Sequence, residues 1–398
     1  MTNEPKNVPE LRFPGFDEEW ELHILGECVT NKTRKFNSKK DDNESDIELD
    51  SLESDTGRLI HLYNSTEFSS QKNRFKKGDV LYSKLRPYLN KYYFADFDGV
   101  CSSEIWVLNS KDKSILKNKF LYSFIQTNKF SFMANKSAGS KMPRADWNLV
   151  ENMRLNLPTV QEQQKIGGFF SKLDRQIELE EQKLVKLEEQ KKGYMQKIFS
   201  QELRFKDDNG NSYPDWSIKK IEDISKVNKG FTPNTKNDEY WDELNENWLS
   251  IAGMTQKYLY KGNKGITEKG ASKHVKVDKD TLIMSFKLTL GKLAIVKEPI
   301  YTNEAICHFV WKESNVNTEY MYYYLNSINI STFGAQAVKG VTLNNDSINS
   351  IIVKLPVIQE QYKIAYFFNE LDKLIRKQYA KIELLKQRKN GLLQKMFV

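Results

Sequence analysis

Apolar residues recur at alternating three- and four-residue intervals along two stretches of the chain. The first runs Ile166, Phe170, Leu173, Ile177, Glu180, Leu184, Leu187, Lys191, Tyr194, Ile198, and the second Ile364, Phe368, Leu371, Ile375, Gln378, Ile382, Leu385, Lys389, Leu392, Met396. That period predicts two long helices, over 157–200 and 355–398. Pro158 and Pro356 suit a helix entry, and Glu162 and Glu360 put negative charge in the first turn, where the helix dipole favours it. A polar residue breaks each seam at the same two places, Glu180/Gln378 and Lys191/Lys389. Such breaks lower stability and select register and orientation, so the helices are expected to pair with each other as an antiparallel coiled coil. At the usual rise each would be roughly 60 Å long. The same period also serves a helical hairpin that is only core or a dimerisation element.

Outside the helices the pattern shortens to strand-like runs bounded by turns. VLYSKL (80–85), YYFADF (92–97) and EIWVL (104–108) in one half, with TLIMSF (281–286), KLAIVK (292–297) and AICHFVW (305–311) in the other, predict strands. Helical stretches follow near Lys119–Ala134 and Thr318–Ser331.

The two halves repeat. Residues 157–199 return as 355–397 at a constant shift of 198 with no gap, and 19 of the 43 aligned residues are identical. Glu10-Leu11-Arg12-Phe13 with Trp20 returns as Glu202-Leu203-Arg204-Phe205 with Trp216. Aligned without a gap, 78–91 matches 279–292, setting Asp79 on Asp280, Leu81 on Leu282, Arg86 on Lys287 and Lys91 on Lys292. Ser103-Glu104 then meets Asn303-Glu304. The expected fold class is α+β: two mixed α/β domains, 1–156 and 201–354, separated by two long helices, 157–200 and 355–398, with a pseudo-two-fold internal repeat. Such symmetry suits a partner that is itself nearly two-fold symmetric, and duplex DNA is one.

Charge sharpens the picture only locally. A net charge of +8 permits nucleic acid without demanding it. Residues 72–93 carry Lys72, Arg74, Lys76, Lys77, Lys84, Arg86 and Lys91 against one acid, Asp79, with Tyr82, Tyr88, Tyr92 and Tyr93 interleaved. A strand alternating Val80, Tyr82, Lys84 with Leu81, Ser83, Leu85 would bury one face and offer the other to phosphates and bases. The loop Lys136–Arg144, with Lys141, and its counterpart Ala337–Asn344, with Lys339, Thr342 and Asn344, combine glycine with cations and hydrogen-bonding side chains. Lys229-Gly230-Phe231-Thr232-Pro233 is a third candidate, set against Asn31–Lys35 in the first half. The acidic run Asp41–Asp55 is expected to be a solvated loop turned away from any duplex.

Other chemistry is sparse. Cys28, Cys101 and Cys307 form no CxxC pair, and His23, His61, His274 and His308 show no metal-ligand spacing. A reduced, soluble, cytoplasmic protein is expected, with no signal segment, membrane span or metal site. No FxGxG, no Asp/Asn-Pro-Pro-aromatic segment and no GxxxxGK[ST] occurs, so neither base methylation nor an ATP-driven motor is expected of this chain.

The twice-occurring LP-x-x-x-EQ-x-K-I…FF-x-x-LD…QK-x-F segment, with ELRFPGF at the start, resembles the specificity subunits of type I restriction-modification systems over the whole chain. Within the modules the second copy departs from the first, with Lys279 for Gly78 and Leu288 for Pro87. The resemblance implies a non-catalytic subunit with two target-recognition domains, each reading one half of a split, asymmetric double-stranded DNA sequence. The helices would set the spacer near one turn of duplex, roughly 34 Å. It implies Lys84, Arg86, Tyr88, Lys91, Lys141 and Arg144 at the first half-site, and Lys229, Thr232, Lys287, Lys292, Lys339, Thr342 and Asn344 at the second. It further implies two copies of a methyltransferase (modification) subunit docked on helix faces around Gln161, Glu162, Phe169 and Gln359, Glu360, Phe367, with restriction/translocase subunits recruited to the assembly. Phe169 and Phe367 fit intrachain core equally well. No cofactor is expected on this chain, whereas the assembly would use S-adenosylmethionine, ATP and Mg2+. A stand-alone DNA-binding repressor or architectural protein, or a scaffold that binds only protein, stays open at this point.

Overall fold

The computed structural model describes residues 7–36, 43–67, 71–136, 141–272, 274–337 and 340–398, with 335–337 and 340–342 through their backbone. The long helices form over Val160–Phe199 and Ile358–Lys395. The chain divides into two compact units, Met1–Gln182 with Tyr379–Val398, and Lys183–Gln378, so each unit holds the start of one long helix and the end of the other.

Within the first unit, Glu21–Ile24 pairs antiparallel with Arg154–Leu157, the strand that leads into the central helix. A four-stranded sheet follows in the order Val29–Thr30, Ile105–Ser110, Val80–Ser83, Tyr92–Phe94. The second unit repeats this plan. Ser217–Lys220 pairs with Ile352–Leu355, and the main sheet runs Ser225–Lys229, Ile306–Trp311, Leu282–Ser285, Leu293–Val296, with Tyr258–Leu259 added at the edge. All six predicted strands are present. The stretch near Lys119–Ala134 resolves into two helices, Asn118–Phe124 and Asn128–Asn135, and its counterpart forms Thr318–Ser327.

Each module is closed by both long helices. In the first unit Val80, Tyr82 and Phe120 pack with Ile166 and Phe170 from the central helix and with Leu393 and Met396 from the C-terminal one. In the second, Leu282, Met284 and Tyr320 pack with Ile364 and Phe368 and with Ile198 and Phe199. The polar seam residues find partners in an antiparallel register. Lys389 reaches Asp174 at 2.6 Å in the first unit, and Lys191 reaches Asp372 at 2.6 Å in the second. These two pairs are images of one another under the 198-residue shift. Glu180 pairs with Lys381.

The repeated ELRF and EQ segments form a latch at the head of each helix. Arg12 makes a fork to Glu162 with both contacts at 2.8 Å, and Arg204 makes the same fork to Glu360 at 3.3 and 2.8 Å. Both carboxylates are 0% exposed. The neighbouring Gln163 is buried too, accepting from Lys117 N–H at 2.9 Å and donating to the Ile115 and Pro158 carbonyls. Gln361 repeats these bonds with Asn317 N–H and the Asn315 and Pro356 carbonyls. Leu203 N–H caps the end of the central helix at the Lys197 carbonyl, and Leu11 N–H does the same for the C-terminal helix at the Lys395 carbonyl.

Three expectations are corrected. The strand Val80–Ser83 offers no free face, because Val80 and Tyr82 enter one core and Leu81 another, with Ile47, Phe75 and Tyr93. The acidic run is not a solvated loop along its described length. Ser45–Ile47 is a strand beside Gly99–Ser102, where buried Asp46 meets buried Lys72 at 2.5 Å, Glu48 joins them, and Glu44 pairs with Arg74. Burial pushes the Asp46 carboxyl above its ordinary range against the pull of the Lys72 ammonium. Two cations of the basic stretch are thus neutralised internally.

The third correction is one of register. Ser83 pairs with Ile105 as Ser285 pairs with Ile306, so Val80–Ser83 matches Leu282–Ser285 at a shift of 202 while the paired strands match at 201. Leu282 therefore corresponds to Val80, on the opposite sheet face from Leu81. Ser83 N–H bonds the Lys91 carbonyl and Ser285 N–H that of Lys292, so the intervening turn is one residue shorter in the second copy. Left-handed residues recur at matching points: Gly78 (φ 91°) and Asp280 (61°), Arg86 (52°) and Leu288 (65°), Asn90 (46°) and Gly291 (73°). Arg86 is thus the counterpart of Leu288 rather than Lys287, and Glu104 of Ala305 rather than Glu304.

Removing an arginine of the latch leaves a carboxylate buried without its counter-charge. Arg12→Ala should cost about 3–5 kcal/mol of unfolding free energy in urea. Arg204→Ala should cost less, by about 1–2 kcal/mol, because the Trp216 indole N–H still donates to Glu360 at 2.9 Å. The indole N–H of Trp20 finds no acceptor among the described residues. Equal losses would show that the indole bond contributes nothing.

Candidate nucleic-acid interface

In the first unit, the turn after Val80–Ser83 and the segment before Trp147–Val150 lie side by side. Leu85 bridges Arg144, Arg86 N–H donates to the Pro143 carbonyl at 2.8 Å, and Ala145 N–H donates to the Lys84 carbonyl at 2.7 Å. Lys84, Arg86 and Arg144 are thereby brought together, with Lys141 exposed just ahead. Arg144 is held by Glu104 at 2.9 Å. Arg86 is exposed, and its guanidinium has no hydrogen-bond or ion-pair partner among the described residues. Tyr88 is the one exposed member of the four interleaved tyrosines, on the turn Pro87–Leu89. Lys91 is turned inward, its ammonium donating to the Leu49 carbonyl at 2.7 Å.

Lys84 also lines a concavity of about 490 Å³ with Lys32, Lys35, Asn73 and Trp106. Lys32 and Lys35 are cations that the sequence reading placed only as counterparts of Lys229. Their signal was the basic cluster Asn31–Lys35 directly after a short strand.

The second unit has a concavity of about 420 Å³, lined by Lys229, Phe231, His274, Lys276, Thr302 and His308. Phe231 stacks on His274 with ring centroids 3.5 Å apart, and Lys276 lies over Tyr301. Basic and aromatic groups are interleaved here, with His274 and Lys276 coming from a run that sequence analysis did not single out. Lys229 and Lys287 both lie over the ring of buried Phe286, at 4.6 and 5.7 Å. Gly230 is required by packing within the chain, since a Cβ there would stand 2.0 Å from the Thr302 carbonyl oxygen.

Other candidates are engaged elsewhere. Thr232 donates its hydroxyl to Glu304 and accepts from Asn303 at 2.8 Å. Asn344 caps the helix Asn345–Asn349, accepting from Ser347 N–H at 2.7 Å. Lys292 is half-buried, its backbone tied to Ser285. Lys339, and Thr342 beyond its backbone in the strand Gly340–Thr342, lie outside the described residues.

The helix-face candidates divide sharply. Gln161 and Gln359 are exposed. Glu162 and Glu360 are the buried latch carboxylates, which corrects their reading as docking groups. Phe169 packs on Phe13 at 5.6 Å, and Phe367 on Phe205 at 5.7 Å and Tyr194 at 5.1 Å, so both serve intrachain core. Among the described residues no cluster of metal-ligating side chains occurs, and no helix is long and apolar enough to cross a membrane.

Two copies of one α+β module, each ended by a long helix, define a duplicated architecture whose candidate surfaces differ in chemistry. The chain matches the type I restriction modification DNA specificity domain twice, over residues 17–189 and 213–385, and belongs to that family. It is 30% identical over 209 residues to the type I restriction enzyme MjaIX specificity subunit of Methanocaldococcus jannaschii, a match spanning 50% of this chain and 48% of that one. It is 21% identical to the HindI specificity subunit of Haemophilus influenzae, over 88% of this chain and 92% of the other. A chain from a structure addressing complex assembly and conformational transition of a type I restriction-modification system shares the fold, with a TM-score of 0.66 at 16% identity over 97% of this chain and 99% of that one. The S subunit from M. genitalium gives 0.55 at 14% identity, over 98% and 99%.

His308 in the second concavity carries a pH signature. Its ring is 2.9 Å from the Thr302 hydroxyl, and burial lowers its pKa to about 4. The unfolded chain binds this proton near pH 6.5 and the folded one only near 4, so stability present above 6.5 is lost as pH falls through that window. Between pH 7 and 5 the second unit should lose about 2 kcal/mol from this group. Urea unfolding of His308→Gln should show that loss removed; an unchanged pH slope would contradict the burial argument.

Proposed function

We propose that this chain is the non-catalytic DNA-specificity subunit of a type I restriction-modification complex. Two recognition domains, residues 1–156 and 201–354, bind the halves of a split, asymmetric double-stranded target. The observation that carries the reading is the duplicated site. In both units the segment that follows the first strand of the main sheet lines a basic concavity, with Lys32, Lys35 and Lys84 in one and Lys229, Phe231 and Lys276 in the other. Identical surfaces would suit a palindrome, whereas one scaffold with two chemistries suits two different half-sites.

Phosphate contacts fall to Lys32, Lys35, Lys84, Lys141 and Arg144 at the first half-site and to Lys229, Lys276 and Lys287 at the second. Arg86 is the group free to reach a base edge. The paired helices hold the half-sites at a set spacing. Two modification subunits dock on helix surfaces that include Gln161 and Gln359, beside exposed Tyr362 and Tyr366. S-adenosylmethionine, ATP and Mg2+ act on the partner subunits, and the restriction/translocase subunits join that assembly.

Long-read sequencing of DNA from a methylation-free host, expressing the modification subunit with and without this chain, tests the reading. A split motif methylated only when both are present is expected. Arg86→Ala should relax the first half-site at one position by about 1–3 kcal/mol and leave the second intact. Removing one heptad from both helices should change the spacer and neither half-site. Specific binding by the isolated chain with no new methylation would favour an autonomous repressor.

A further inference from the structure

The second module's turn exposes an apolar side chain on an unfavourable backbone. Leu288 has φ 65° and is 93% exposed. A left-handed leucine is disfavoured sterically, and here no burial within the described chain offsets it. Glycine or asparagine would hold the same turn at lower energy. Its surroundings are cationic: Lys287 precedes it, and the ammonium groups of Lys287 and Lys229 flank the buried ring of Phe286. An apolar knob on a turn that also carries cations fits a polyanion that presents methyl groups beside its charges. Duplex DNA does so at thymine, whose C5-methyl group lines the major groove.

The matched position in the first module sharpens the assignment. Arg86 occupies the same left-handed corner, also exposed, and offers five donors where Leu288 offers none. We propose, resting on the DNA-specificity reading above, that Leu288 is a specificity-determining residue of the second half-site and selects thymine by contact with its C5-methyl group. The equivalent corner of the first half-site is read by hydrogen bonding from Arg86. This pair of turn residues then contributes to the asymmetry of the target.

The test uses the chain assembled with its modification subunit. Once the methylated motif is mapped, each thymine of the second half-site is replaced in turn by deoxyuridine, which removes only the methyl group. For the wild type, one replacement should weaken binding about fourfold, the effect of burying one methyl group. Leu288→Ala should bind the thymine duplex about fourfold more weakly and be indifferent to that replacement, with the first half-site unchanged. Leu288→Asn, which suits the left-handed backbone, should match or exceed the wild-type thermal midpoint and show the same indifference. A second half-site without thymine, a wild type indifferent at every position, or a Leu288→Ala complex that still senses the methyl would overturn the assignment. A wild-type complex that deposits no split motif would overturn the DNA-specificity reading itself, and the assignment with it.

Discussion

A carboxylate with no exposure to water sits in the first turn of each long helix, and the path of the chain around it is set by the arginine that pairs with it. Glu162 and Glu360 are satisfied by the arginine of an ELRF segment, in a fork that fixes both distance and plane. A buried ion pair adds little net stability against a well-packed apolar alternative, yet it tolerates very few geometries. Here it decides where the chain may pass. The segment carrying the arginine must lie over the helix start, and its leucine N–H then caps the end of the other helix, at Lys395 in one unit and Lys197 in the next. The adjoining glutamine ties the same turn to the residues that lead into the module's own helix.

Direction along the helices follows. Each unit contains the start of one helix and the end of the other, which makes the pairing antiparallel within each unit. The ion pairs Asp174–Lys389 and Lys191–Asp372 then fall at mirror positions of the seam. A lysine in an apolar seam is tolerable only opposite its acid. A slip by one turn would leave both lysines unpaired, and the duplicated, gap-free helix length follows from that requirement.

Much of this was legible in the sequence, because helical periodicity survives wherever one face is buried. The helices, their polar interruptions and the six strands were read from spacing alone. The partners of the interruptions were not, since Asp174 and Asp372 lie off the seam and look like surface charge. Glu162 was legible as a first-turn acid but not as a buried one, because nothing local announces that Arg12 arrives from 150 residues away. The strand register was misread for a simpler reason. Conservation of Asp, Leu and Lys favoured a gap-free match, while the turn had shortened by one residue; with a side-chain period of two, that slip reverses every face. It also hid the correspondence of Arg86 with Leu288. The acidic run failed because composition cannot tell a solvated carboxylate from one paired across a sheet with Lys72 or Arg74.

The chain is two copies of one scaffold, and on the proposed reading each module carries its own recognition surface. That claim is tested most directly by exchanging the modules, placing 201–354 where 1–156 stands and the reverse while leaving both helices in place. Each ELRF segment and its arginine travel with a module and meet an equivalent glutamate, so the latch is preserved. The account predicts a methylated motif with the two half-sites in swapped order and an unchanged spacer. The original order, or a motif whose half-sites are themselves altered, would contradict it.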